Sequence, residues 1–153
     1  MKLNDFIKSN DVEMASKCIA SSDINKIESK LSFQFGPELK NYIKQYGYLA
    51  YKHVEFMGIT SALMERSDMV KQTLWLHSKY PETSNYILLE SQGDGFYIIV
   101  DKKDNVYEFD DHTGKITFTK KSLNDYIVSR FEQADNYKDS YTESSFFDNI
   151  KFI

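Results

Sequence analysis

The chain has 153 residues, 41% of them hydrophobic and 15% aromatic, which is material for one domain with a real core. Its net charge of −4 and pI near 5.4 argue against nucleic acid as a direct ligand, because phosphate binding needs clustered Lys and Arg. The single cysteine, Cys18, excludes an internal disulfide, a redox pair and a cysteine-based metal site.

The charge is uneven. Residues 1–80 carry 11 basic and 9 acidic groups, a charge of +2, whereas residues 81–153 carry 8 and 14, a charge of −6. A field of that sign favours basic partners. The opening MKLNDFIKSNDVEM lacks the apolar segment of a secretion signal, and no run approaches the roughly 20 apolar residues of a membrane helix. The expectation is a cytoplasmic protein with no membrane contact.

In chain order, Leu3, Phe6 and Ile7, then Met14, Ala15, Cys18 and Ile19, are spaced like one or two short helices broken at Ser9-Asn10-Asp11. Residues 1–20 read as an N-terminal helical arm, the first of these helices loosely attached to the rest. A helix follows from about Asp23, capped by Ser22 or Asp23, with Ile24, Ile27 and Leu31 on one face. Gly36-Pro37-Glu38 starts the next, since proline suits the first helical position and a carboxylate the positive end of the dipole. Its buried side is Leu39, Tyr42, Ile43 and Tyr46, and Gly47 is placed as its C-terminal cap.

From Tyr48 to Ile59 two short β runs, YLAY and VEFMGI, flank Lys52-His53 and read as outer strands of the main sheet. Ser67 to Tyr80 returns to helix, with Met69, Val70, Thr73, Leu74, Leu76 and His77 near one side and Pro81 closing it. Trp75 reads as core or as an interface anchor, and helical spacing alone favours the core.

Asn85 to Phe118 is the organising stretch. Three runs rich in Ile, Leu, Val, Tyr and Phe are separated by Gln92-Gly93-Asp94-Gly95 and Lys102-Lys103-Asp104-Asn105, and a fourth follows His112-Thr113-Gly114. Turns this short join antiparallel neighbours, so the stretch is a meander. Phe96 to Val100 is apolar on both alternating faces, as a central strand covered on both sides is. In the next run Tyr107 and Phe109 share one face, and Glu108 and Asp110 the other. Ser122 and Asp125 then form a capping box before a helix with Leu123, Tyr126, Ile127 and Phe131. The tail, residues 136–153, ends in Phe146, Phe147, Ile150, Phe152 and Ile153. So much apolar area implies docking on the parent domain or a contact with a second subunit, a homodimer.

The expected fold class is therefore α+β: one domain over residues 1–153, an antiparallel β-meander sheet with helices packed on one side and around its ends. Reactive chemistry is not in view. His53, His77 and His112 lie on different elements outside any zinc frame. Gly93-Asp94-Gly95 lacks the ending of a phosphate loop and reads as a tight hairpin. Asp101, Asp104, Glu108, Asp110 and Asp111 depart from calcium-loop spacing, and all read as exposed, which leaves no pair of unlike carboxylates for acid–base work. No cofactor, metal or catalytic residue is expected. An acidic strand face is either a solvated surface or a partner surface.

The F-G-P-E-L-K-N-Y-I-K-Q-Y-G segment, the V-E-F-M-G strand, the helix at Asp68 to Leu76 and the Y-I-L-L-E-S-Q-G-D-G-F-Y-I-I-V-D and V-Y-E-F-D-D hairpin together resemble the SUKH superfamily, named for yeast cell-wall regulators of the Smi/Knr type. The resemblance covers roughly Asp23 to Phe131 and is nearest to the compact Bacillus members of the YobK kind. Members usually show Leu-Gly and then Leu-Pro before the Glu-Leu pair, where this chain has Leu31-Ser32 and Gly36-Pro37. The resemblance implies an immunity protein that binds the C-terminal domain of an LXG-type polymorphic toxin, often a nuclease, without catalysis. An acidic inhibitor can fill a basic nuclease cleft and speed its own association. On that reading Glu90, Asp94, Glu108, Asp110 and Asp111 are the expected contacts, with Tyr97 as an aromatic anchor. The alternatives are a regulatory protein-interaction module, as the yeast relatives imply, and an enzyme or ligand-binding protein using the Asp94 loop.

Overall fold

The meander forms as its turns dictate. In the computed structural model, which describes residues 2–60 and 65–140, strands β4 (Ile87–Gly93), β5 (Phe96–Val100), β6 (Asn105–Asp110) and β7 (Lys115–Ser122) make one antiparallel sheet in that order. Gly93, Asp94 and Gly95 all take positive φ (83°, 54° and 85°), which glycine adopts without strain and Asp tolerates. Tyr97 pairs with Phe109 and Ile99 with Tyr107 on one face, while Ile98 pairs with Glu90 and Glu108 on the other. Both faces of β5 are buried at Ile98, Ile99 and Val100.

The class is α+β, and helices take both faces of this sheet. Helix α4 (Met69–Lys79) lies on the Tyr97 and Phe109 face, where Thr73 accepts a hydrogen bond from the Leu88 amide (3.0 Å). Helix α5 (Leu123–Ser140) lies on the Ile98 face, where Tyr126 and Arg130 reach Glu90.

The two short β runs after Tyr48 do not extend this sheet. They are β2 (Leu49–Tyr51) and β3 (Val54–Glu55), which with β1 (Glu13–Met14) make a separate three-stranded antiparallel sheet in the order β1-β2-β3. The β4–β5 register shifts between Leu88 and Glu90, and there the Leu89 carbonyl accepts the Met57 amide (2.7 Å), stitching the sheets together. β1 also corrects the expectation of a second helix around Met14 and Ala15. Pairing with β2 and the bond from the Ala15 amide to the Tyr46 carbonyl (3.1 Å) outweigh local helical spacing.

The first segment is no loose arm. Helix α1 (Leu3–Ser9) buries Leu3 and Phe6. Phe6 meets Tyr51 and Phe131 at ring separations of 5.3 and 5.5 Å, and Phe131 meets Phe56 at 5.4 Å. This aromatic cluster ties α1 to the second sheet and α5. The tail residues Phe146, Phe147, Ile150, Phe152 and Ile153, expected to dock on the domain or on a subunit, lie outside the described residues.

Helix α2 (Ser21–Leu31) starts two residues before the expected Asp23, because the Ala20 carbonyl already accepts from the Asp23 and Ile24 amides. Ser32, where the resemblance expects glycine, is left-handed (φ 51°) and ends the helix. Helix α3 (Pro37–Gln45) has Pro37 in its first turn, buries Leu39, Tyr42 and Ile43, and is followed by Gly47 at φ 69°.

Its cap comes from far along the chain. Asp104, read as exposed, is only 1% exposed, and its carboxylate accepts the amides of Glu38 (2.9 Å) and Leu39 (3.0 Å). A Cβ at position 36 would lie 2.5 Å from that carboxylate, so Gly36 makes room for it. The Asp104 carbonyl in turn accepts the Leu123 amide (2.9 Å), and Glu38 accepts the Asn124 amide (3.0 Å). These groups serve the start of α5 in place of the Ser122 and Asp125 capping box. Burial raises the Asp104 carboxyl above its ordinary value, against the lowering effect of the two amides.

Candidate functional site

Helix α4 is anchored by Asp68, whose carboxylate accepts the Val70 and Lys71 amides. That start turns Met69, Thr73 and Leu76 into the core and leaves Trp75 roughly a third of a turn away. Trp75 is 41% exposed and Leu74 39%, so neither is core. Lys79 follows Trp75 by four residues, on the same flank of the helix, and its ammonium sits 5.3 Å from the Trp75 ring centre and 5.5 Å from that of Tyr80.

Tyr80 and Pro81 end the helix, and the Tyr80 ring drops toward the sheet. Ring centres are 6.0 Å apart for Trp75 and Tyr97, 6.4 Å for Trp75 and Tyr80, and 5.1 Å for Tyr80 and Phe109. Tyr80 donates to the Asp111 carboxylate (2.8 Å). That bond pushes its hydroxyl up to about 12, while burial and then the Asp111 charge raise Tyr97. Both phenols are neutral at ordinary pH.

The neighbouring turns frame these rings with carboxylates. Asp111 donates its amide to the Gly95 carbonyl (2.9 Å), and a Cβ at position 95 would meet the Asp111 carboxylate. Only glycine lets the Asp94 hairpin nest against the β6–β7 turn. Glu82 is exposed beside Tyr80, its carboxylate 3.4 Å from where a Cβ on Gly114 would stand. Asp110 accepts from the amide and the ring Nδ1 of His112 (2.9 and 3.2 Å), and the His112 amide lowers its carboxyl below the usual range.

The ligand-capable atoms of Asp110, Asp111 and His112 lie within 4.8 Å of one another. The sequence offers the histidines for zinc and Asp110 and Asp111 for calcium separately, and does not bring these three together. The Asp110 and Asp111 carboxylates already serve His112 and Tyr80, so the group acts as a turn brace.

Of the expected contact residues, Tyr97 stands among the rings, Asp111 bonds Tyr80 beside them and Asp94 is at the adjacent hairpin tip, while Asp110, next to Asp111, ends β6 on its opposite, α5-facing side. The other two lie on the α5 face. Glu108 is exposed there. Glu90, read as a surface carboxylate, is 3% exposed, because Arg130 grips it at 2.6 Å and Tyr126 donates to it at 3.1 Å. It forms the floor of a cleft of about 530 Å³ that His53, Glu55 and Arg66 also line. Glu55 is itself held by the hydroxyls of Ser67 and Tyr48, each at 2.6 Å.

The residues that the sequence does not single out are Tyr80, Lys79 and Glu82, and of the two readings of Trp75 the exposed one holds. The available signal was the helical wheel, which sets Trp75 and Lys79 together away from Met69, Thr73 and Leu76. Among the described residues no helix is long and apolar enough to cross a membrane. A family model described as SMI1-KNR4 cell-wall, of the SUKH_5 type, matches residues 2–132, from α1 into α5, and so takes in the whole aromatic face. Comparison with curated proteins gives no match.

Proposed function

The chain belongs to the SMI1-KNR4 family of the SUKH type, and from that premise we propose that it is an immunity protein, of the compact YobK kind. It binds the C-terminal domain of an LXG-type toxin, a nuclease, and neutralises it by covering its active surface, with no bond made or broken. One observation carries this reading: an exposed tryptophan stands on a tyrosine floor, and the Tyr80 ring that meets it is bonded to Asp111 and has the exposed Glu82 beside it. Aromatic anchors with a surrounding polar rim are the usual energetic centre of a protein interface. An acidic rim complements the basic cleft a nuclease needs for phosphates, and raises the rate of encounter. A specific interface buries on the order of 1,600 Å² in all, so the Trp75 face is its centre and not its extent.

Co-expression with the toxin encoded next to it tests the proposal. The wild-type chain is expected to protect the cell, and the variant Glu82→Gln, Asp111→Asn to protect less, with weaker binding and a smaller salt dependence. Undiminished protection by that variant removes the acidic-rim mechanism. Failure of the wild-type chain to bind the toxin domain removes the immunity role.

The cell-wall description of the matching family favours a second reading, a regulatory protein-interaction module that uses the same face. A stable complex with a cellular protein other than the toxin, lost in Trp75→Ala, selects that reading.

A further inference from the structure

We propose that the slot formed by Trp75 and Tyr80, with Glu82 beside Tyr80, receives one cationic side chain of the partner, an arginine, and that Lys79 fills it in the free protein. This rests on the reading that the face binds a protein, and it names the chemistry of the central contact.

The slot already holds a cation. The Lys79 ammonium lies 5.3 and 5.5 Å from the centres of two rings that meet edge to face, at 87°, and it makes no ion pair among the described residues. What holds it is the negative face of the rings. Lysine is a weak occupant because its ammonium is strongly hydrated and its flexible stem loses rotamer freedom in one pose.

The rings themselves are well supported. Tyr80 is pinned by its bond to Asp111 and packs on Phe109, and Trp75 leans on Tyr97. Glu82 follows two residues after Tyr80, is exposed, and makes no hydrogen bond or ion pair among the described residues. It is the uncommitted anion beside Tyr80, since Asp111 is engaged with Tyr80.

A guanidinium suits this arrangement better than an ammonium does. It is planar and weakly hydrated, so it can lie on the indole while its edge forks to the Glu82 carboxylate. Displaced by such a group, Lys79 returns to water at little cost, and until then it spares the free protein a bare indole. Lys79 thus acts as an exchangeable placeholder.

Trp75 is the only tryptophan, so indole emission reports on the slot directly. The probe is the peptide acetyl-Gly-Arg-Gly-Arg-Gly-amide, with lysine and glutamate peptides of the same length as controls, titrated into the wild-type chain and into Lys79→Met. The arginine peptide is expected to change the emission saturably, ahead of lysine, with no response to glutamate. Removing the resident cation is expected to tighten the arginine peptide about three-fold, and Glu82→Gln to weaken it by a similar factor. Circular dichroism shows whether each variant is folded.

If the arginine peptide leaves both the wild-type and Lys79→Met emission unmoved, or acts no differently from glutamate, the proposal fails whatever the toxin does. If Lys79→Met binds it more weakly than the wild type, Lys79 is no placeholder and the proposal fails in that part. A titration that runs as expected, in a protein that protects against no toxin, overturns the toxin reading alone.

Discussion

The two faces of the four-stranded sheet use the same residue types to opposite ends. Under α5, Glu90 is buried and its charge is consumed by Arg130 and Tyr126. Burial alone would lower the Arg130 pKa, but the Glu90 bond and charge leave it raised, and burial raises the Tyr126 hydroxyl. Under α4, Asp111 sits at a rim where an exposed Trp75 and an uncommitted Glu82 remain available. A carboxylate in a strand is therefore no guide to its use. What lies across from it decides whether it holds the fold together or faces a partner.

That contrast can be broken most sharply on the buried side. Arg130→Met leaves Glu90 as an unpaired charge in the interior and is expected to cost about 3 kcal/mol or more of stability, measured by urea unfolding. Adding Glu90→Gln should restore a large part of the loss, because the uncompensated charge and not the missing pair is the main penalty. An unchanged midpoint in Arg130→Met would mean that the two faces are not different in kind.

On the open side, Trp75→Ala is expected to cost under about 1 kcal/mol in the same measurement, as a surface substitution away from the core does. A loss comparable to that of Arg130→Met would make Trp75 a structural residue and remove it from the proposed interface.

Acid titration probes single carboxylates more finely. Glu55, on the cleft side, feels burial pushing its carboxyl up, but the hydroxyls of Ser67 and Tyr48 and the charge of Arg66 together leave it lowered. Asp110, at the end of β6, is lowered first by the His112 amide. A carboxyl lowered in the folded state contributes stability that is complete above its unfolded value, about 4, and is lost as pH falls through the folded value. Glu55→Gln and Asp110→Asn should each flatten the decline of stability below about pH 4. Each flattening should be small, because both carboxyls are partly exposed and solvent screens them.

Much of the architecture was legible because it is written locally. The alternation in residues 85–118, the Gly93-Asp94-Gly95 turn and the Pro37 helix start each depend on neighbours a few residues apart, and each forms where expected. The candidate site was legible in part. Tyr97, Asp94 and Asp111 were named from the acidic strand and its turns. Trp75 was left between core and interface because the apolar spacing of α4 reads broadly, as though Leu74 and Trp75 shared the core face of Leu76.

What the amino-acid order determined by itself is the menu of elements: a meander with forced turns, helices with fixed starts, and an acidic C-terminal half. Tertiary structure alone decided which of two pairings a group would take. Asp104 caps a helix 65 residues away in sequence, β1 is a strand only because β2 lies beside it, and Glu90 lost its availability to Arg130 of a helix 40 residues on. Local conformation answers to bonds and sterics within a turn or two. The fate of a charge answers to the dielectric and partners that only packing supplies.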